Sequence, residues 1–262
     1  MAFSKNYIVG FAGGICVFCS IFVAGSAVAL KDRQDVNAVV DKQTQVLKVA
    51  GLVKEGEAIA AAEVGKRFEE NLVPRVVDLE TGKYVEDADA ANFDMDAAMK
   101  DPATSEAAPA NDAKVQRLPK QALVYELKGE GGTIDALILP VEGKGLWSTL
   151  KGYIALKPDT TTVAGLTFYS HAETPGLGGE VDNPKWKALW PGRKVFPGND
   201  DWAPKLEVIK GQAGPAADDP YRVDGLSGAT ITSRGVTHLV QFWLGDQAFG
   251  PYLENMRNGA GK

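Results

Sequence analysis

Residues 224–230, Asp224-Gly225-Leu226-Ser227-Gly228-Ala229-Thr230, place two hydroxyls among glycine and alanine. A serine or threonine hydroxyl is a weak nucleophile until an adjacent base, a lowered pKa or a metal activates it. The run holds no histidine, lysine or cysteine, so chemistry at one of these hydroxyls needs activation supplied by another protein. Gly225, Gly228 and Ala229 suit that requirement. Glycine reaches backbone conformations closed to other residues, and alanine adds almost no bulk, so a foreign active site can close on the chain. Asp224 is placed to position a metal or a loop. Two other readings compete. Gly225, Ser227 and Ala229 approximate the G-x-S-x-G elbow of serine hydrolases, but that arrangement needs an acid and then a histidine downstream, and here His238 precedes Asp246. Alternatively, Ser227 or Thr230 simply caps a helix over 233–244, where Val236, Leu239, Val240, Trp243 and Leu244 recur at helical spacing.

The elements that carry this run belong to a chain of 262 residues, 45% hydrophobic and 24% charged, enough for one substantial domain plus an appendage. The appendage is the uncharged apolar stretch 7–30, long enough to cross a hydrocarbon core of about 30 Å as a helix. Ala27, Val28 and Ala29 offer an A-x-A cleavage site, yet the apolar run exceeds a signal-peptide core of about 7–15 residues, which favours an uncleaved anchor. Lys5 on one side and Lys31 and Arg33 on the other leave the orientation open. Gly10 and Gly14 have the spacing that lets a partner helix approach closely. Cys16 and Cys19 are the only cysteines, too few for an iron–sulfur or zinc site within this chain, and read as small apolar residues. A net charge of -6 and no basic cluster argue against nucleic-acid binding.

Beyond the anchor, 35–53 carries Val36, Val39, Val40, Val46, Leu47 and Ala50 on one helical stripe, ended by Gly51, and a second helix is expected over about 58–72. Residues 85–114 are rich in Ala, Asp, Glu and Pro and read as a solvated acidic loop. Strands are expected over 122–128, 134–141, 152–157, 163–169 and 206–209. No helix–strand repeat demands a parallel sheet, so the fold class is α+β, with a twisted, largely antiparallel sheet flanked by helices. The glycines of Gly143-Lys144-Gly145-Leu146-Trp147-Ser148 lack the third glycine, the following helix and the acidic residue of a dinucleotide fingerprint. His171 and His238 are too isolated to suggest a metal.

A second distinctive run is His171-Ala172-Glu173-Thr174-Pro175-Gly176-Leu177-Gly178-Gly179, whose 174–177 portion fits a type II turn with Pro second and Gly third. Residues 224–230 resemble the flavinylation signature of membrane redox complexes. Together with 144–147, 171–179, 186–193 and 249–253, they make the whole chain resemble the NqrC family, one of the subunits of the sodium-translocating NADH:quinone reductase. That resemblance implies FMN joined by its phosphate to the Thr230 hydroxyl by a separate flavin transferase, with Asp224, Ser227, Gly228 and Ala229 as the recognition sequence. It further implies that Glu173, Thr174, Gly176, Leu177 and Gly178 approach the flavin ring, with Leu177 as an apolar face and Trp147 shielding it. Residues 1–33 would anchor the chain in the bacterial inner membrane, and 34–262 would form the FMN-binding domain on the periplasmic side. The other subunits would bind NADH and quinone, so the isolated chain is expected to show no turnover. The flavin-bearing component of a ferredoxin:NAD oxidoreductase and a non-redox anchored scaffold are the rival expectations.

Overall fold

The computed structural model describes residues 4–198 and 201–259. The chain divides into two compact units, Met1–Lys42 and Gln43–Lys262. The first consists of most of helix α1, Lys5–Val49, whose apolar side chains such as Phe11, Phe18, Ile21 and Phe22 are exposed along its length. Among the described residues this is the one helix long and apolar enough to cross a membrane. The expected anchor and the expected 35–53 helix are one continuous helix. No glycine or proline stands between Leu30 and Val46 to end it.

The second unit takes in the last turns of α1, where Val46 and Leu47 are fully buried while Val36 and Val39, on the same expected stripe, are exposed. The helix stops where expected: Leu52 N–H bonds Leu47 C=O and Gly51 N–H bonds Lys48 C=O, both at 2.9 Å, with Gly51 in the left-handed region, the Schellman pattern. Helix α2, Ala61–Asn71, runs directly into strand β1, Leu72–Asp78, which the sequence pattern does not announce. Pro74 argues against a central strand, but β1 lies at the sheet edge, where a missing N–H is tolerated.

The expected acidic loop is partly ordered. It contains helix α3, Met95–Lys100, capped by the Asp94 carboxylate, and strand β2, Ser105–Ala107, paired with β3, Arg117–Pro119. Composition misleads here because a few apolar side chains reach the core: Ala113 is fully buried, and Met95, Met99 and Ala108 pack against it. The stretch therefore covers apolar surface that its average polarity conceals.

Strands β4 (Gln121–Lys128), β5 (Ile134–Lys144), β6 (Thr149–Leu156) and β7 (Val163–Ser170) follow as an antiparallel meander, giving the order β1-β4-β5-β6-β7. Side chains alternate across the sheet. Leu137, Leu139 and Val141 of β5 join Val236, Leu239, Val240 and Trp243 of helix α5, Thr230–Leu244, in one core. The opposite face carries Tyr125 and Tyr153 in edge-on contact with each other, Phe68 of α2 against Tyr125, and Thr167 hydrogen-bonded to Gln45 of α1. Helix α4 (Pro184–Lys187) and the two-residue parallel pair β8 (Glu207–Val208) and β9 (Arg222–Val223) precede α5, and α6 (Gly250–Arg257) closes the fold. Trp243 Nε1–H bonds the Glu142 carbonyl at 2.7 Å, fixing α5 over the end of β5.

Candidate functional site

Strand β9 leads into the glycine-rich run and α5 leads out of it. Gly225 N–H bonds Gly211 C=O at 2.9 Å, holding the start of the run against the segment after β8. The Asp224 carboxylate accepts the Ala213 amide and its carbonyl accepts the Trp186 indole N–H, both at 2.9 Å. Of the two roles open to Asp224, loop positioning is the one observed; the described residues hold no group of three or more acidic, histidine or cysteine side chains arranged for a metal. Gly228 lies at φ 72°, and its α-carbon faces Leu177, whose Cδ2 would be 2.9 Å from any Cβ built there.

Ala229 precedes α5 without a side-chain cap, and the first backbone bond into the helix is Ser233 N–H to Ala229 C=O at 3.0 Å. The amides of Thr230, Ile231 and Thr232 therefore have no acceptor among the described residues. The nearby hydroxyls that would cap them are committed elsewhere. Ser233 Oγ accepts the Leu226 amide at 3.0 Å, and Thr232 Oγ1 donates to Glu173 Oε2 at 2.7 Å. Open amides at a helix start attract an anion, helped by the helix dipole. Thr230 is exposed and its hydroxyl has no hydrogen-bond partner among the described residues, whereas Thr232 is fully buried. Residues two apart on an α-helix point in nearly opposite directions, which separates the two threonines.

Glu173 holds this arrangement together. Its Oε1 accepts from Trp147 N–H (3.0 Å), Ser148 N–H (3.1 Å) and Ser148 Oγ (3.0 Å), while Oε2 accepts from Leu146 N–H (3.2 Å) and Thr232 Oγ1. The carboxylate thus joins the β5–β6 turn to the first turn of α5. Gly178 makes the approach possible: a Cβ there would fall 2.6 Å from Thr232 Oγ1 and 2.7 Å from Glu173 Oε2. The Thr174–Leu177 turn forms as the sequence suggests, with Leu177 N–H bonding Thr174 C=O at 3.1 Å and Gly176 at φ 76°.

Burial by itself would push the Glu173 carboxyl up, but the Thr232 hydroxyl and the amides of Trp147, Ser148 and Leu146 outweigh it and hold the group below the usual glutamate range. A depressed folded-state pKa stabilises the fold above the unfolded value of about 4.3, and the contribution is lost as pH falls through the folded value. Glu173→Gln, which turns an NH2 toward at least one of these donors, is expected to cost about 1–3 kcal/mol at neutral pH. The gap between wild-type and variant melting temperatures should shrink as thermal unfolding is repeated below about pH 4.

The side chains displayed around this clamp are apolar. In the second unit the exposed large hydrophobics among the described residues are Leu146, Trp147, Leu177, Trp202 and Ile231. Trp202 is covered on one face by the Arg257 guanidinium, 3.7 Å from its ring. The other four surround the start of α5, and Trp147 is 68% exposed. Concentrated exposed apolar surface marks a binding site.

The structure therefore brings the expected residues together but divides their tasks. Thr230, Leu177 and Trp147 face outward, Ser227, Gly228, Thr174 and Gly176 lie at the surface, and Glu173, Gly178 and Ala229 are buried behind them. Glu173 accordingly acts as a clamp between the β5–β6 turn and α5. Leu146 and Ile231, exposed beside these residues, were not among those expected there. Ile231 was legible in principle, since an apolar residue beside Thr230 lies off the Val236/Leu239/Trp243 stripe.

Residues 145–245 match the FMN-binding domain family. The chain is 47% identical over 248 residues to the NqrC protein of the Na(+)-translocating NADH-quinone reductase of Pseudomonas aeruginosa, spanning 94% of this chain and 93% of that protein. It is 44% identical over 253 residues to the corresponding protein of Vibrio vulnificus, spanning 96% and 95%. The crystal structure of NqrC from Shewanella oneidensis superposes with a TM-score of 0.74 at 33% identity, covering 82% of this chain and 96% of that one. With that identity sustained over nearly the full length, the chain belongs to the NqrC family of Na(+)-translocating NADH-quinone reductase subunits.

Proposed function

We propose that Thr230 carries FMN through a phosphoester and that, so loaded, the chain relays electrons as the NqrC component of a membrane complex that oxidises NADH, reduces quinone and exports sodium ions. The role within the complex follows from family membership; the attachment is our reading. The observation that carries it is the exposed Thr230 hydroxyl, without a partner among the described residues, beside three amides likewise open there at the start of α5. The residues present fit the group. The amides of Thr230, Ile231 and Thr232 suit its phosphate, and Leu146, Trp147, Leu177 and Ile231 suit an apolar ring. When bound, FMN supplies the redox chemistry, while the protein supplies binding, orientation and electrostatics.

This chain's own residues bind and shield. Among the described residues no side chain bonds the Thr230 hydroxyl, so removal of its proton during attachment falls to a flavin transferase. Thr232 is sealed into the Glu173 clamp and unavailable for the same reaction. Helix α1 would anchor the chain in the bacterial inner membrane with the domain on the periplasmic side, and NADH and quinone would bind other subunits. Family membership favours this complex over a ferredoxin:NAD oxidoreductase.

The test is in-gel flavin fluorescence under denaturing conditions, on full-length protein expressed with a flavin transferase, followed by peptide mass mapping. A fluorescent band whose FMN maps to Thr230 is expected. A dark band despite an active transferase would overturn the reading and leave an anchored scaffold.

A further inference from the structure

The Glu173 clamp has an electrical side as well as a mechanical one. All five of its donors are neutral: three backbone amides, the Ser148 hydroxyl and the Thr232 hydroxyl. Among the described residues no lysine, arginine or histidine side chain pairs with this carboxylate. His171, two residues away, directs its Nε2 to Asp182 and accepts the Glu173 amide at Nδ1. Hydrogen bonds disperse the charge but do not cancel it. Glu173 is 5% exposed, so water screens it weakly.

We propose that Glu173 is a positioning residue whose uncompensated negative charge, held beneath the Leu146–Trp147 turn, sets the reduction potential of the flavin seated there below the value a neutral residue would give. The inference rests on the FMN reading above. The turn whose amides bind the carboxylate is the one that displays Leu146 and Trp147, so the charge sits directly behind the apolar surface. Electrons delivered to the ring add negative charge. A fixed anion beside them makes uptake less favourable, and more so in a poorly screened site. Neutral donors aimed at Glu173 oppose this effect, and Thr232 is one of them. Removing the charge and removing a donor should therefore move the potential in opposite directions, which a purely structural role would not do.

The test is a spectroelectrochemical titration of the flavin-loaded full chain, with thermal unfolding followed in parallel. Glu173→Gln is expected to raise the midpoint potential by at least a tenfold change in the reduction equilibrium, about 59 mV for a one-electron couple. Thr232→Val, which keeps the charge and deletes one donor, is expected to lower it. An unchanged or lowered potential in Glu173→Gln overturns the proposal. Should that variant fail to fold or to take flavin, Thr232→Val decides, and an unchanged or raised potential there overturns it. Wild-type protein that takes up no flavin removes the Thr230 reading itself, a failure distinct from a loaded protein whose potential ignores Glu173.

Discussion

Thr230→Val is expected to abolish covalent flavin while leaving the fold intact. Valine replaces the hydroxyl with a methyl of similar size at an exposed position where the oxygen has no partner among the described residues. As a surface substitution it should change stability by no more than about 0.5 kcal/mol. The first-turn amides and the apolar residues around them remain in place, so noncovalent association can persist, and the readout must be taken after denaturation. A Thr230→Val band that still fluoresces in a denaturing gel would show that attachment lies elsewhere. Thr232 is a poor substitute, because releasing its hydroxyl would strip a hydrogen bond from a buried carboxylate. In assembled membranes the same variant should lose electron transfer to quinone, because the relay proposed for this chain runs through the flavin on Thr230.

Gly235→Ala should destabilise the protein even though it improves the helix. In an exposed helix interior alanine is favoured over glycine by about 1 kcal/mol. At Gly235, however, a Cβ would sit on the Lys144 carbonyl oxygen, closer than real contacts allow, and 3.2 Å from Gly145 Cα. Both obstacles are backbone, and the backbone there cannot yield easily. Lys144 N–H bonds Ala113 C=O and Gly145 N–H bonds Ser148 C=O, both at 2.8 Å. Overpacking of this kind costs about 1–3 kcal/mol and here outweighs the propensity gain. The displaced element is the β5–β6 turn that Glu173 pins to α5, so flavin attachment should fall together with the melting temperature. Gly65→Ala in α2 is the matched control. Beyond its chain neighbours and its own helix backbone, no described atom lies within 4 Å of its Cβ position, and a gain of up to about 1 kcal/mol is expected. Equal shifts in the two variants would show that close approach does not govern Gly235.

Much of the fold was legible because local pattern and burial agree. The meander strands from 121 to 170 are runs of aliphatic and β-branched residues between turn signals; three reach their expected limits or pass them, the one expected over 152–157 spans Thr149–Leu156, and the one expected over 206–209 shrinks to Glu207–Val208, outside the meander. Two elements were hidden for opposite reasons. Strand β1 carries a proline that only an edge position tolerates. The 85–114 segment has an average polarity that masks Met95, Met99 and Ala113, the few side chains that order it.

What the sequence determined by itself is chemical. It holds a hydroxyl in a small-residue run with no local base, one apolar stretch long enough to span a bilayer, and too few cysteines for a metal cluster within the chain. Those properties are set by residue type and short spacing. The tertiary structure decided the division of labour within the site. Thr230 and Thr232 are equivalent in composition, yet helical geometry exposes the first and buries the second against Glu173. The family resemblance implies only that the Glu173 loop approaches the flavin ring; the fold makes Glu173 a buried clamp because three amides from a turn 25–27 residues earlier and a hydroxyl 59 residues later converge on it. Convergence of that kind depends on how the β5–β6 turn and α5 pack on one sheet, and no local pattern encodes it.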